Sequence, residues 1–138
     1  MLKGIPNLLS PDLLKILMEM GHGDEIVISD GNFPAASMGK RVVRLDGHGG
    51  VEVLEAILKL LPLDTYAKPV YLMEKVAGDT VETPIWDEYK KAIAPHTKEE
   101  PEFLERFEFY ERAKEAYAVV YTGESALYAN IILKKGVL

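Results

Sequence analysis

Short apolar runs of strand length alternate with helical segments along this chain, and that alternation restricts the fold more than any other feature. Ile26-Val27-Ile28 is uniformly apolar and ends on Asp30-Gly31, the pattern of a buried strand closed by a turn over residues 25–29. Just before it, Ser10 is a suitable N-cap and Pro11 suits the first helical position, while Leu13, Leu14, Leu17, Met18 and Met20 recur at helical spacing. Gly21 is expected at the C′ position of that helix. Further strands are expected at residues 41–45, 70–76, 117–122 and 130–135. Further helices are expected at 51–61, stopped by Pro62; at 85–94, opened by Thr83-Pro84; and at 107–116. Residues 96–100 read as a polar connection.

Strands interleaved with helices predict an α/β protein in which helices cover both faces of the sheet, a three-layer α/β/α arrangement. The sheet is expected to be mixed and mostly parallel. No repeat or long linker divides the 138 residues, so a single domain over residues 1–138 is expected. That length buries a real core, and 48% hydrophobic with 28% charged residues is ordinary for a globular protein.

Composition also narrows the partners. The net charge of −6 disfavours nucleic acid, whose phosphates are held by Lys and Arg, and Lys134-Lys135 is too small a cluster to reverse that. No stretch approaches the ~20 apolar residues of a membrane span. The first residues lack the apolar run of a secretory signal, so a cytoplasmic location is expected. The chain has no cysteine, which removes disulfides and thiolate metal ligands. Its three histidines are far apart and in no ligand spacing, so no metal is expected. Asp46-Gly-His-Gly-Gly50 lacks the lysine and the serine or threonine of a phosphate loop.

Ligands of such sheets gather in loops beyond the strand ends. His22, between two glycines, is suited to proton transfer near neutral pH, though closing the preceding helix is the more common use of such a position. Asp30 can orient a hydroxyl or form an Asx turn. Arg106 offers a planar donor fork, unless it is a solvated charge paired with Glu102 or Glu105. Tyr128 and Asn130, on the same side of an extended segment, can address one ligand or close a loop. Phe107 and Tyr110 share a helix face and can form an aromatic wall against a sugar, though helix packing is the more common use.

Read together, GHGDEIVISDGNFPA (residues 21–35) and RFEFYERAKEAYAVVYTGESALYANIILKKGV (residues 106–137) resemble the fucose mutarotase and ribose pyranase family, with similarity running from about Met1 to Val137. The resemblance implies an isomerase acting at the anomeric carbon of a free monosaccharide, without cofactor or metal. It implies His22 as proton donor and Asp30, Arg106, Tyr128, Ala129 and Asn130 as substrate contacts, Ala129 through its backbone. Arg106 places the chain on the fucose side of the family, where ribose-type members carry a histidine. Many fucose-type members read Ala-His where this chain has Gly31-Asn32, a departure that bears on the sugar more than on the reaction. Ring-shaped homo-oligomers, often decamers, with sites at subunit interfaces are also implied. Pyranose/furanose interconversion and sugar binding without turnover remain the alternatives.

His22 and Asp30 raise a geometric question. A straight strand of ~3.3 Å rise per residue between them separates the two by more than one sugar. Either the glycine-flanked loop folds back, or neighbouring subunits complete each site.

Overall fold

The computed structural model describes residues 1–138 and contains six strands and five helices in one sheet-centred layer structure. In chain order these are α1 (Pro11–Glu19), β1 (Glu25–Ser29), α2 (Ala35–Met38), β2 (Val42–Leu45), α3 (Gly50–Leu58), β3 (Val70–Met73), α4 (Ile85–Ile93), β4 (Glu102–Leu104), α5 (Arg106–Glu115), β5 (Ala118–Thr122) and β6 (Ile131–Lys134). The strand order is β2-β5-β1-β6-β3-β4. β1 to β5 run parallel to one another, and β6 alone runs antiparallel, between β1 and β3. The sheet is therefore mixed and mostly parallel, as the strand and helix alternation predicts.

Alternation along β1 sends Ile26 and Ile28 to one face and Val27 to the other. The first face carries the larger core, where α1, α3 and α4 pack through Leu13, Leu17, Val53, Leu54, Ile57, Tyr89 and Ile93. On the second face Phe33 and Ala35 join Phe109 and Ala113 of α5 over Val27, Val119, Ile132 and Tyr71. Both faces are covered, which gives the three layers. No helix is long and apolar enough to cross a membrane.

Local signals held where the chain was free to follow them. The Ser10 hydroxyl accepts from Leu13 N at 3.2 Å, and Pro11 begins α1. Gly21, however, is not a left-handed C′ residue. The helix leaves through Met20 in extended conformation, Gly21 N donates to Asp24 Oδ2 at 2.7 Å, and the left-handed glycine is Gly23, φ 86°. The tight turn thus lies two residues later, immediately before β1. Thr83 offers no side-chain cap to α4, which starts after Pro84 in helical conformation. Two short elements lie in stretches without strand or helix periodicity: α2, and β4, which adds to the sheet edge against β3. The expected strand at residues 70–76 ends at Met73, where the chain turns into the β3–α4 loop.

Candidate functional site

The topology gathers one set of side chains at one end of the sheet. β1, β3 and β4 end there, and the antiparallel β6 begins there. Asp30 follows β1, Asp79 lies in the loop after β3, Arg106 opens α5 after β4, and Tyr128-Ala129-Asn130 leads into β6. A pocket of about 260 Å³ lies among Asp30, Asn32, Phe33, Met73, Val76, Asp79, Arg106, Tyr110, Leu127, Tyr128 and Asn130. This is the crevice beyond the carboxyl ends of strands where α/β sheets bind ligands.

Asp30 is its rigid centre. Its side chain is buried, its backbone N donates to Asn130 Oδ1 at 2.8 Å, and Asn130 Nδ2 donates back to Asp30 Oδ2 at 3.1 Å. Ala129 N donates to the same Oδ2 at 3.3 Å, and Asn32 N donates to Oδ1 at 3.0 Å. The Asx turn and the pocket position are therefore both real for this residue. Burial raises the Asp30 pKa above the ordinary carboxylate value, against the lowering effect of these hydrogen bonds. Asn130 spends most of its amide on Asp30, so its first role is to hold that carboxylate.

The 128–130 segment is not extended, so Tyr128 and Asn130 do not share a side by strand alternation. Tyr128 has φ 56°, left-handed for a non-glycine residue, which costs roughly 1–2 kcal/mol unless surrounding contacts impose it. Helix α4 imposes it. Trp86 Nε1 donates to the Tyr128 carbonyl at 2.8 Å, and the buried Tyr89 hydroxyl donates to the Ala129 carbonyl at 2.9 Å. Gly50 leaves room for that hydroxyl, since a Cβ there would collide with it. The Tyr128 hydroxyl donates to Asp79 Oδ2 at 2.5 Å and accepts from Val76 N at 3.3 Å.

Arg106 pairs with neither Glu102 nor Glu105. Its Nε donates to Tyr110 Oη at 3.1 Å, and Glu105 instead caps α5 by accepting from Phe107 N and Glu108 N. A guanidinium at the first position of a helix opposes the helix dipole, so Arg106 adds nothing to the capping of α5. Phe107 and Tyr110 meet edge to face with centroids 6.1 Å apart, and Tyr110 reaches the pocket wall.

His22 is elsewhere. It precedes β1, and five residues of ~3.3 Å rise put roughly 17 Å of strand between its end of the sheet and Asp30. The glycine-flanked loop does not fold back, because Gly23 N is bonded to Lys135 O at the far end of β6. Nor does His22 close α1. Its Nε2 lies 3.1 Å from Oδ1 of buried Asp64, and its ring tilts against Tyr66 at 5.4 Å. Desolvation works against ionisation of Asp64, yet hydrogen bonds from Tyr66 N, His22 and Thr65 N bring its pKa below the ordinary value. His22 itself is exposed, and the ring nitrogen it turns to Asp64 is Nε2. A second hollow, of about 480 Å³, begins at Asp64 and Tyr66 and is walled by surface side chains, including the Lys68–Glu99 ion pair.

The chain thus joins Asp30, Arg106, Tyr128, Ala129 and Asn130 and leaves His22 at the opposite end. Asp64 and Asp79 carry no local mark in the sequence, apart from the Gly78-Asp79 turn. No group of three or more His, Cys, Asp or Glu side chains converges as metal ligands would.

Human fucose mutarotase is 54% identical over 153 residues, with 99% of this chain and 94% of that protein covered. A solved structure of FucU from Bifidobacterium longum is 60% identical and superposes with a TM-score of 0.96, covering 99% of each chain. The fucose mutarotase of Streptococcus pneumoniae, solved in complex with L-fucose, is 51% identical with a TM-score of 0.94, again over 99% of each chain. Residues 3–138 match the model of the RbsD / FucU transport protein family, and by that match and those identities the chain belongs to this family, the one to which residues 21–35 and 106–137 point.

Proposed function

We propose that this protein is a fucose-mutarotase-type isomerase that interconverts the α and β anomers of a free monosaccharide through ring opening. The observation that carries the reading is the convergence of Asp30, Arg106, Tyr128 and Asn130 on one pocket, in a chain 54% identical to a fucose mutarotase along nearly its whole length. The pocket, about 260 Å³, lies just below the roughly 300–1,000 Å³ of small-molecule sites, the scale of one small sugar. L-fucose, the ligand of the Streptococcus pneumoniae relative, is the substrate we assign.

Mutarotation needs a proton removed from the anomeric hydroxyl O1 while the ring oxygen O5 is protonated. The C1–O5 bond then breaks, C1 turns, and the ring recloses on its other face. Asp30, fixed by three donors, accepts from sugar hydroxyls. Arg106 donates to a hydroxyl or to the ring, Tyr128 contacts O1, and the backbone of Ala129 and the amide of Asn130 complete the grip. His22 supplies the proton as general acid, and a positioned acid of this kind contributes roughly 10²–10⁴-fold.

Because His22 stands at the far end of its own sheet, it serves the pocket of a neighbouring subunit. Exposed apolar side chains occur at both ends: Val76, Phe107 and Leu127 around the pocket, Tyr66 and Val137 near His22. Contact between two different patches is heterologous and forms a ring when the rotation from copy to copy closes, which is compatible with the ring-shaped homo-oligomer with interfacial sites, a decamer on the family pattern, that we propose.

Exchange NMR between anomeric protons of fucose, ribose and galactose, with and without protein, tests the reading. Accelerated fucose exchange is expected, and no acceleration with any of the three sinks the enzyme. Acceleration confined to ribose would make it a pyranase. Exchange unaffected by His22→Ala removes His22 as the acid, and a monomer in sedimentation removes the interfacial site.

A further inference from the structure

We propose that Asp79 acts through the Tyr128 hydroxyl as the proton-accepting end of the site, making the Asp79–Tyr128 pair the base that withdraws the O1 proton; the inference rests on the mutarotase reading above. His22 gives the pocket an acid, and ring opening requires a base opposite it. Asp30 is a poor choice, since its two oxygens already accept from Asn32 N, Ala129 N and Asn130 Nδ2 in a buried, rigid frame.

The hydrogen bonds at Tyr128 fix its polarity. A phenol has one hydrogen and two acceptor lone pairs. The hydrogen goes to Asp79 Oδ2 at 2.5 Å, and one lone pair takes Val76 N–H at 3.3 Å. What remains is a single lone pair, in a pocket lined by both residues. A sugar hydroxyl meeting Tyr128 must therefore donate to it, which is the direction a base requires.

Asp79 is itself held for this. Its other oxygen, Oδ1, accepts Val81 N at 3.0 Å, which turns Oδ2 to the phenol, and the loop bends at Gly78 with φ 87°. On the other side, the left-handed backbone of Tyr128 is pinned by Trp86. Two independent restraints, one from the β3–α4 loop and one from α4, converge on one O–H···O bond. The shared hydrogen bond holds Asp79 below the ordinary carboxylate range and Tyr128 above the ordinary phenol range, so at rest the proton stays on the phenol.

The step balances within the pair. As the C1–O5 bond breaks and O5 takes a proton from the acid, the O1 proton passes to Tyr128 Oη and the phenol proton passes to Asp79 Oδ2. C1=O1 forms, and no free phenolate is produced. On reclosure the transfers reverse, O1 is reprotonated from Tyr128, Asp79 returns its proton to the phenol, and the acid recovers its own from O5.

Asp79→Asn keeps an acceptor for the phenol but removes the place for its proton. The anomeric exchange rate at saturating sugar is expected to fall about 10²-fold with half-saturation unchanged. Tyr128→Phe should fall comparably, and the double variant no further, because the two residues act as a unit. Asp79→Glu is expected to recover part of the rate. An Asp79→Asn variant within about twofold of wild type, or one altered only in half-saturation, overturns the inference while leaving the mutarotase reading standing.

A second readout is independent of turnover. With Tyr ring carbons labelled, NMR titration should place the Tyr128 phenol lower in Asp79→Asn than in wild type, with Lys75 and Arg106 as the facing cations in both. An unchanged phenol overturns the coupling. Wild type without any acceleration of sugar exchange sinks both the reading and this step.

Discussion

Two buried carboxylates, one near each end of β1, have pKa values shifted in opposite directions. At the carboxyl end Asp30 sits in a pocket closed by backbone amides and Asn130, and burial raises its pKa. At the amino end Asp64 is no more exposed, yet its partners, His22 among them, hold it below the ordinary value. The first end is built into the core through Tyr89, Ala129 and Asn130, all buried. The second presents an exposed imidazole on a buried anchor. The Asp30 end is thus rigid and internal, whereas the His22 end is exposed, the contrast on which the proposed delivery of the acid from a neighbouring subunit rests.

The largest expected effect tests that division directly. His22→Ala should lower anomeric exchange about 10²–10⁴-fold, and Tyr128→Phe about 10²-fold, each alone. Co-assembled from equal amounts, the two inactive variants should regain about a quarter of wild-type activity, because a quarter of randomly formed shared sites draw both intact parts. No recovery on mixing would place both groups in one protomer's site and break the comparison.

Next in size is stability. Tyr89→Phe leaves the buried Ala129 carbonyl without its donor and should cost about 1–3 kcal/mol in denaturant unfolding. At the other end Tyr66→Phe, an exposed ring, should change stability by less than about 0.5 kcal/mol. Equal losses would show that the two ends are equally integrated into the core.

Asp64→Asn sharpens the comparison further. Keeping size but losing charge at His22 Nε2, it should reduce the exchange rate by about tenfold while leaving half-saturation alone, since the sugar is gripped at the opposite end.

The smallest effect is in the pH dependence of stability, where the two carboxylates have opposite signs. Asp64 has a lowered folded pKa, so its contribution is present above the unfolded value of about 3.9 and is lost as pH falls through the folded one. Asp30 has a raised folded pKa, so its contribution is present below about 3.9 and is lost as pH rises through the folded value. Denaturation at stepped pH should show wild type gaining on Asp64→Asn with rising acid-range pH and losing to Asp30→Asn. Parallel slopes would refute the contrast.

Much of this was legible in the chain. Ser10-Pro11 started α1 where capping chemistry requires, and the apolar run at residues 26–28 became the central strand. Of the residues implied as sugar contacts, Asp30, Arg106, Tyr128 and Asn130 do meet in one pocket, while buried Ala129 lies behind it with its N–H on Asp30. Illegible were Asp79 and Asp64, because each gains its meaning from a partner 49 or 42 residues away. β4 was hidden because three residues at a sheet edge, two of them exposed, need no alternation of apolar side chains. The conformation of Tyr128 was hidden too, since its φ is set by Trp86 and Tyr89 rather than by its neighbours.

By itself the sequence determined the layers, because local periodicity and capping act over a few residues, and the kind of chemistry followed from the resemblance of residues 21–35 and 106–137 to a known family rather than from any single side chain. Tertiary structure decided which of those side chains share a site. With β6 antiparallel among parallel strands, residues 128–130 arrive beside Asp30, while His22 leads into the other end of the same strand. Strand direction is a long-range outcome of pairing, and no short stretch of sequence encodes it.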